Sequence, residues 1–316
     1  MFDNKLSACF NGGLAAYVRK ISSVSGIVRS LRAFKPDVLY IRSMAYFPGL
    51  TRIASSFPAI VEYNTLMERE IRIASSSRAR FVHNLGYRKF NRSVSGFIGV
   101  TDEITDYYRD AYGHPALTIG NGFDLDSYPI ASIPRFSPQP RPQIVFVGSP
   151  DQPWHGVDKF YELSACLPDM DFHLIGPTYQ AAVEANSKNF IEHGFMDKAA
   201  LTELYSKMDI AVGSLAMHRN GLNEATPLKV REYGAFGLPM ILAYRDTDLS
   251  GREFVLEIDN TEDTITKNID RIRTFIADWK NRRVEREKVA PLIDYKHKEK
   301  RRLDFMMQIA NAGSPG

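Results

Sequence analysis

The chain has 316 residues, is 44% hydrophobic and 24% charged, and carries a formal net charge of +3. That make-up belongs to a folded chain with room for two domains, and it excludes disordered, collagen-like and disulfide-stapled classes. No apolar run reaches the roughly 18 residues that a membrane-spanning helix requires.

The opening residues, MFDNKLSACF, lack the basic start and apolar core of a signal peptide. Cys9 and Cys166 are the only cysteines. Two thiols build no disulfide framework and suit a reducing, cytoplasmic setting. Cys166 is expected to pack on an apolar helix face. The charge is uneven: residues 1–95 hold 15 Lys and Arg against 5 Asp and Glu, a balance of +10 that leaves −7 for the rest. A basic first part predicts contact with an anionic surface. Its cations are not interleaved with regularly spaced aromatics, so no nucleic-acid partner is expected.

In chain order, Ser23 to Phe34 has helical apolar spacing, and Lys35-Pro36-Asp37 ends it. Val38–Ile41 and Ala59–Tyr63 read as strands, and Met67 to Ser93 as a long polar, Arg-rich helix. Gly96–Val100 is a third strand, Thr101 a cap for the helix starting at Asp102, and Leu117–Ile119 a fourth strand. Five prolines between Tyr128 and Pro142 mark a stiff, extended linker. Strands follow at Ile144–Val147, Phe172–Ile175, Phe190–His193, Ile210–Val212, Met240–Ala243 and Glu253–Ile258, separated by helical stretches, one of them capped by Asp197. Ile265, Ile269, Ile272 and Ile276 form one helical stripe, and Lys296 to Asn311 a last helix. Alternating strands and helices imply parallel sheets with crossover helices.

The stretch from His218 to Ala243, HRNGLNEATPLKVREYGAFGLPMILA, carries the chemistry. It reads as loop, helix, strand. Pro227 suits a first helical turn, and Gly237 with Pro239 stops the helix. A helix N-terminus beside Lys229 is an anion site. Glu224 and Glu232 bracket it, and ionised carboxylates accept hydrogen bonds from polyol hydroxyls. The expected ligand therefore joins phosphate and polyol in one molecule.

Glu224, seven residues, then Glu232, with Pro227-Leu228-Lys229 and Ala235-Phe236-Gly237-Leu238-Pro239, resembles the signature of retaining nucleotide-sugar glycosyltransferases of the GT-B fold (the glycosyl transferases group 1 family). Pro36-Asp37-Val38-Leu39-Tyr40, Gly99-Val100-Thr101-Asp102-Glu103 and Asn121-Gly122-Phe123-Asp124 resemble that family's first-half words, in its order. The resemblance implies an α/β fold of two Rossmann-like parallel-sheet domains facing a central cleft. The expected division is 1–130 for an acceptor-side domain, 131–142 for the linker, 143–295 for the nucleotide-sugar domain and 296–316 for a final helix on the first domain plus a tail. Only 35 residues precede Pro36, so the first domain looks short at its start, with Gly12-Gly13 as the remnant of a glycine-rich loop.

The same resemblance implies the roles. Glu224 holds the donor sugar, Lys229 the diphosphate and Glu232 the ribose. Gly148, Ser149, His155, Gly156, Thr226, Pro227 and Leu228 line the donor, and Phe195 lies by the base. Asn64 stands on the acceptor side, where relatives have a histidine. Ser149 and His155 occupy the positions of the family's clamp arginine and lysine, which leaves Lys229 as the chief cation with Arg219 behind it. No cofactor is expected beyond the nucleotide-sugar substrate and no metal, because His and Cys are not clustered. The acceptor is a saccharide or a lipid-linked sugar, in polysaccharide or glycoconjugate synthesis, and the basic first part meets an anionic membrane surface by charge alone. A non-catalytic partner subunit is the alternative, and a sugar-nucleotide epimerase the next.

Overall fold

The computed structural model describes residues 14–74, 77–129 and 133–312. Cys9 and Gly12-Gly13 lie outside them. The chain forms two compact units: one takes the residues up to Ile119 and from Glu299 onward, the other Gly120–Lys298.

In the first unit four parallel strands, β1 (Leu39–Arg42), β2 (Ala59–Tyr63), β3 (Gly96–Gly99) and β4 (Ala116–Thr118), lie in chain order. β2 and β3 are buried at every residue, which is why they read as apolar runs rather than alternating ones, the buried Glu62 of β2 excepted. The helices are α1 (Leu14–Phe34), α2 (Leu50–Ala54), α3 (Met67–Ala74), α4 (Ser77–Ser93) and α5 (Asp102–Tyr112). Of the single helix expected over Met67 to Ser93, Met67–Ala74 and Ser77–Ser93 are helical, and residues 75–76 lie outside the described ones. Thr101 caps α5, accepting from Ile104 N–H at 3.3 Å, and Gly113 ends it in the left-handed conformation. Behind the sheet Tyr63 stacks on Tyr108, with ring centroids 3.7 Å apart, and the Tyr87 and Tyr108 hydroxyls are 2.7 Å apart. Phe305 and Ile309, from the last helix, α12 (Tyr295–Ala312), pack on Ile60, Ile98 and Ile119.

In the second unit six parallel strands run in the order β10-β9-β8-β5-β6-β7. They are β5 (Gln143–Val147), β6 (Asp171–Ile175), β7 (Phe190–Gly194), β8 (Ile210–Val212), β9 (Met240–Leu242) and β10 (Val255–Glu257). The order turns back at β5 and β8, the topological switch beside which ligands bind in open α/β sheets. The helices are α6 (Val157–Cys166), α7 (Gln180–Glu184), α8 (Lys198–Tyr205), α9 (Leu228–Ala235), α10 (Thr264–Trp279) and α11 (Arg286–Ile293). Phe146, Phe160, Phe172, Leu174, Ile265 and Ile272 anchor the core between the sheet, α6 and α10. Asp197 caps α8 by accepting from Ala200 N–H at 2.8 Å.

Two expectations change. The compact units divide at Gly120, so the Asn121–Asp124 turn, expected within a first domain reaching residue 130, falls in the second, as does the described part of the proline-rich stretch. Asn121 donates to the Thr226 carbonyl at 2.8 Å, Phe123 N–H to the Ile293 carbonyl at 2.8 Å, and Arg286 to the Leu125 and Tyr128 carbonyls at 3.0 and 2.8 Å. Those bonds hold residues 121–128 in place despite their loop composition. Cys166, at the end of α6, is exposed rather than packed.

Candidate functional site

α9 grips the end of β5. Lys229 donates to the Val147 carbonyl at 2.9 Å, and the Tyr233 hydroxyl, one turn later, accepts from the Val147 N–H at 3.0 Å. Residues four apart share a helix face, so one face of α9 fixes the register of helix against strand. Pro227 is the N-cap of α9 rather than its first helical residue, with φ −67° and ψ 144°. The proline ring favours that extended conformation, and the following N–H groups face outward from the helix start. Leu228 beside them is exposed.

The Lys229 side chain is half-buried, with its ammonium 4.4 Å from the centre of the Phe146 ring. Burial pushes its pKa down to about 7. Charge there is costly without an anion, so an anion that arrives gains by neutralising it.

After β5 the chain turns through Gly148 and Ser149. Gly148 N–H donates to the Ile175 carbonyl at 2.8 Å. Ser149 N–H donates to His155 Nδ1 at 3.1 Å, which places the imidazole proton on Nε2. Burial, with the Lys229 charge nearby, drives the His155 pKa down to about 3. His155 is therefore a neutral hydrogen-bonding group, not a substitute cation. Gly156 has φ +75°, and a Cβ there would meet Leu215 and Ala216 backbone at about 3.1 Å. Glycine alone allows both the turn and the close approach.

Arg219, the second cation expected for the diphosphate, is already engaged within the chain. It binds Asp158 through two bonds of 2.9 and 2.8 Å and Glu262 through two of 2.7 Å. Both carboxylates already use its guanidinium, so it is a structural clamp across α6 and the loop before α10.

The two glutamates sit in different surroundings. Glu224 forms an ion pair with Arg245, and an isolated strand bridge joins the same two residues. Glu232 is half-buried in an aromatic box. The Tyr128 and Tyr205 hydroxyls donate to its two oxygens at 3.4 and 3.3 Å, and Phe236 packs on both rings. Burial raises its pKa, while the two phenols and Lys198 pull the other way. Thr226 is buried, and its hydroxyl accepts from Asn121 N–H at 3.2 Å.

The second unit thus brings together Gly148, Ser149, His155, Gly156, Lys229 and Glu232 around β5 and α9. Phe195, after the left-handed Gly194, is 77% exposed at the end of edge strand β7. Asn64 is exposed in the first unit, immediately after β2.

Sequence reasoning missed four partners: Tyr128, Tyr205, Arg245 and Arg231. Arg231 is fully buried, binding Asp246 through bonds of 2.7 and 3.0 Å, Asp248 at 2.7 Å and the Asn121 carbonyl at 3.0 Å. Lys298 also reaches Asp248, at 2.8 Å. An arginine flanked by Val230 and Glu232 carried no signal of burial; its two aspartates, 15 and 17 residues on, were the available clue.

The expectation of no metal rests also on reading no Asp-x-Asp triplet in the sequence, and that reading is wrong: three occur, Asp124/Asp126, Asp169/Asp171 and Asp246/Asp248. Each carboxylate is engaged within the chain: Asp124 by Ser127, Asp126 by Lys296, Asp169 by Arg273, Asp171 by Arg141 and Gln143, and the last pair by Arg231. Among the described residues no group of three or more His, Cys, Asp or Glu is arranged to hold a metal ion.

Residues 6–127 match the model of Glycosyltransferase Family 4. No curated protein sequence matches the chain. Among solved structures, a glycosyltransferase from Rickettsia africae ESF-5 superposes with a TM-score of 0.66 at 12% identity, covering 98% of this chain and 84% of that one. A sucrose-phosphate synthase from Thermosynechococcus elongatus gives 0.63 at 16% identity, over 92% and 79%. Anabaena HepE in complex with UDP and glucose gives 0.57 at 17% identity, over 90% and 81%. At such identities the likeness is one of fold. The chain accordingly has the GT-B fold of two parallel-sheet units, and its residues 6–127 match Glycosyltransferase Family 4.

Proposed function

We propose that this chain is a retaining, metal-independent glycosyltransferase that moves a sugar from a nucleoside-diphosphate donor to a saccharide or lipid-linked acceptor. The observation that carries the reading is the geometry of α9. One short helix offers outward N–H groups at its start, a half-buried lysine and, on either side, two carboxylates. Departure of a nucleoside diphosphate builds negative charge on its phosphate oxygens, and prepositioned donors lower that barrier. Lys229, protonated when the diphosphate binds, and the N–H groups at the start of α9 supply them. Gly148, Ser149, Gly156, Thr226, Pro227 and Leu228 shape the phosphate and sugar space, and neutral His155 adds a hydrogen bond. Glu232, set by Tyr128 and Tyr205, accepts from the ribose hydroxyls. Glu224, oriented by Arg245, accepts from the donor-sugar hydroxyls. Phe195 lies by the base, and Asn64 serves the acceptor. HepE, of the same fold, is held with UDP and glucose, which supports a nucleotide-sugar donor here.

A second reading, a non-catalytic partner subunit, rests on the missing clamp cations: Ser149 stands at one position, neutral His155 at the other, and Arg219 is taken by Asp158 and Glu262. The two are separated by a nucleotide-sugar panel in a thermal-shift assay followed by NMR of the bound mixture. A catalyst slowly hydrolyses the stabilising donor in EDTA and releases sugar of the donor's anomeric configuration. A stabilising donor that stays intact with every acceptor supports the scaffold reading instead. Inverted product sinks retention, and activity restored only by Mg²⁺ or Mn²⁺ sinks metal independence.

A further inference from the structure

We propose that the outer face of α4 docks on an anionic lipid bilayer by inserting Phe81 and Leu85 between the headgroups. The inference stands apart from the donor chemistry and changes the expected charge-only contact. α4 buries one face: His83, Tyr87 and Phe90 are each at most 2% exposed. The opposite face shows Phe81 at 65% and Leu85 at 69% exposure. These two are one turn apart and form a single stripe, which Arg88 and Arg92 continue at helical spacing, both exposed. Lys89 beside them is exposed as well. The 17 residues of α4 include five basic side chains and no acidic one.

The helix is not free to roll this stripe inward. Gly86 faces the Tyr46 ring so closely that a Cβ would lie 1.9 Å from it, and Tyr46 N–H donates to His83 Nδ1 at 3.2 Å. The inner face is locked, and two large apolar side chains stay in water among cations. Apolar anchors flanked by Lys and Arg on a surface helix are the pattern of interfacial binding. Charge decides the occupant. A second copy meeting the same face would bring two cationic stripes together, at a repulsive cost. A membrane leaflet of anionic lipid receives both the cations and the apolar pair, and the basic balance of residues 1–95 adds long-range attraction.

The test is co-sedimentation of the full chain with phosphatidylcholine vesicles, with and without phosphatidylglycerol, at low and high salt. Native protein is expected to bind the anionic vesicles. R88Q, K89Q and R92Q should each weaken binding about fivefold at low salt. F81S/L85S should weaken it about tenfold or more, with a smaller salt dependence of the loss. Both anchors are exposed, so F81S/L85S is expected to keep the native circular dichroism and melting temperature, which are measured alongside. Native-strength binding by F81S/L85S overturns the anchor. Equal binding to neutral vesicles overturns the role of charge, and no binding at low salt overturns the surface. A dimer in sedimentation velocity that F81S/L85S abolishes, without vesicle binding, assigns the stripe to self-association and overturns it too.

Discussion

The surroundings of Glu224 and Glu232 show how one helix serves two carboxylates differently. Glu224, its own side chain 13% exposed, meets a guanidinium that is 49% exposed, so its partner is a charge. Glu232 meets neutral phenols in a half-buried box, where burial itself raises its pKa. A carboxylate held by weak neutral donors can exchange them for ligand hydroxyls at small cost, whereas one locked to a charge exchanges less readily. The difference fits ribose capture at Glu232 and orientation of a reacting sugar at Glu224. It also shows that a fixed spacing in sequence carries no information on the electrostatics at either end.

The largest effect is expected at the buried Arg231, which lies between the two glutamates in sequence. Arg231→Met removes that buried cation and leaves Asp246 uncompensated, so it should cost about 3–5 kcal/mol of unfolding free energy, read by urea denaturation. A loss under about 1 kcal/mol would mean that water reaches the pair.

The next prediction is set by Lys229. Its folded pKa of about 7 lies below the ordinary 10.5, so the unfolded chain binds more protons between those values. Its contribution to stability therefore rises with pH across that window and is lost as pH falls through about 7. On the proposed reading diphosphate binding needs the charged form, so nucleoside-diphosphate affinity should fall as pH rises above about 7 while bare-nucleoside affinity stays flat. Lys229→Met should remove that slope and cost about 2–3 kcal/mol of diphosphate binding, by calorimetry. Equal losses for nucleoside and diphosphate would refute the assignment.

The smallest effect sharpens the comparison itself. Glu232→Ala should weaken nucleotide binding by about 1–3 kcal/mol. Glu224→Gln should change it by less than about 1 kcal/mol while lowering turnover. Equal effects on nucleotide affinity would erase the distinction between the two ends.

Much of the fold was legible because parallel strands buried on both faces read as apolar runs, such as Ile60-Val61 and Phe97-Ile98. Caps at Thr101 and Asp197 were legible because a side-chain oxygen before a helix has one common use. α2 and α7, five residues each, are too short to show a period, and Pro291 hid α11. In the site, the words of α9 were readable and their neighbours were not. Tyr128 is 104 residues from Glu232 and Tyr205 27, so only the folded chain shows that two phenols meet that carboxylate.

The packing of Phe305 and Ile309 on Ile60, Ile98 and Ile119 has a consequence for biosynthesis. Translation delivers the first unit's four strands early, but the helix that covers them emerges after all of Gly120–Lys298. At ordinary ribosome speeds of about 5–20 residues per second, that interval lasts roughly 10–40 s. During it the isoleucine face of the first sheet stays open on the nascent chain. The second unit, continuous in sequence, closes its own core first, so the earlier-made half of the protein is the later one to mature.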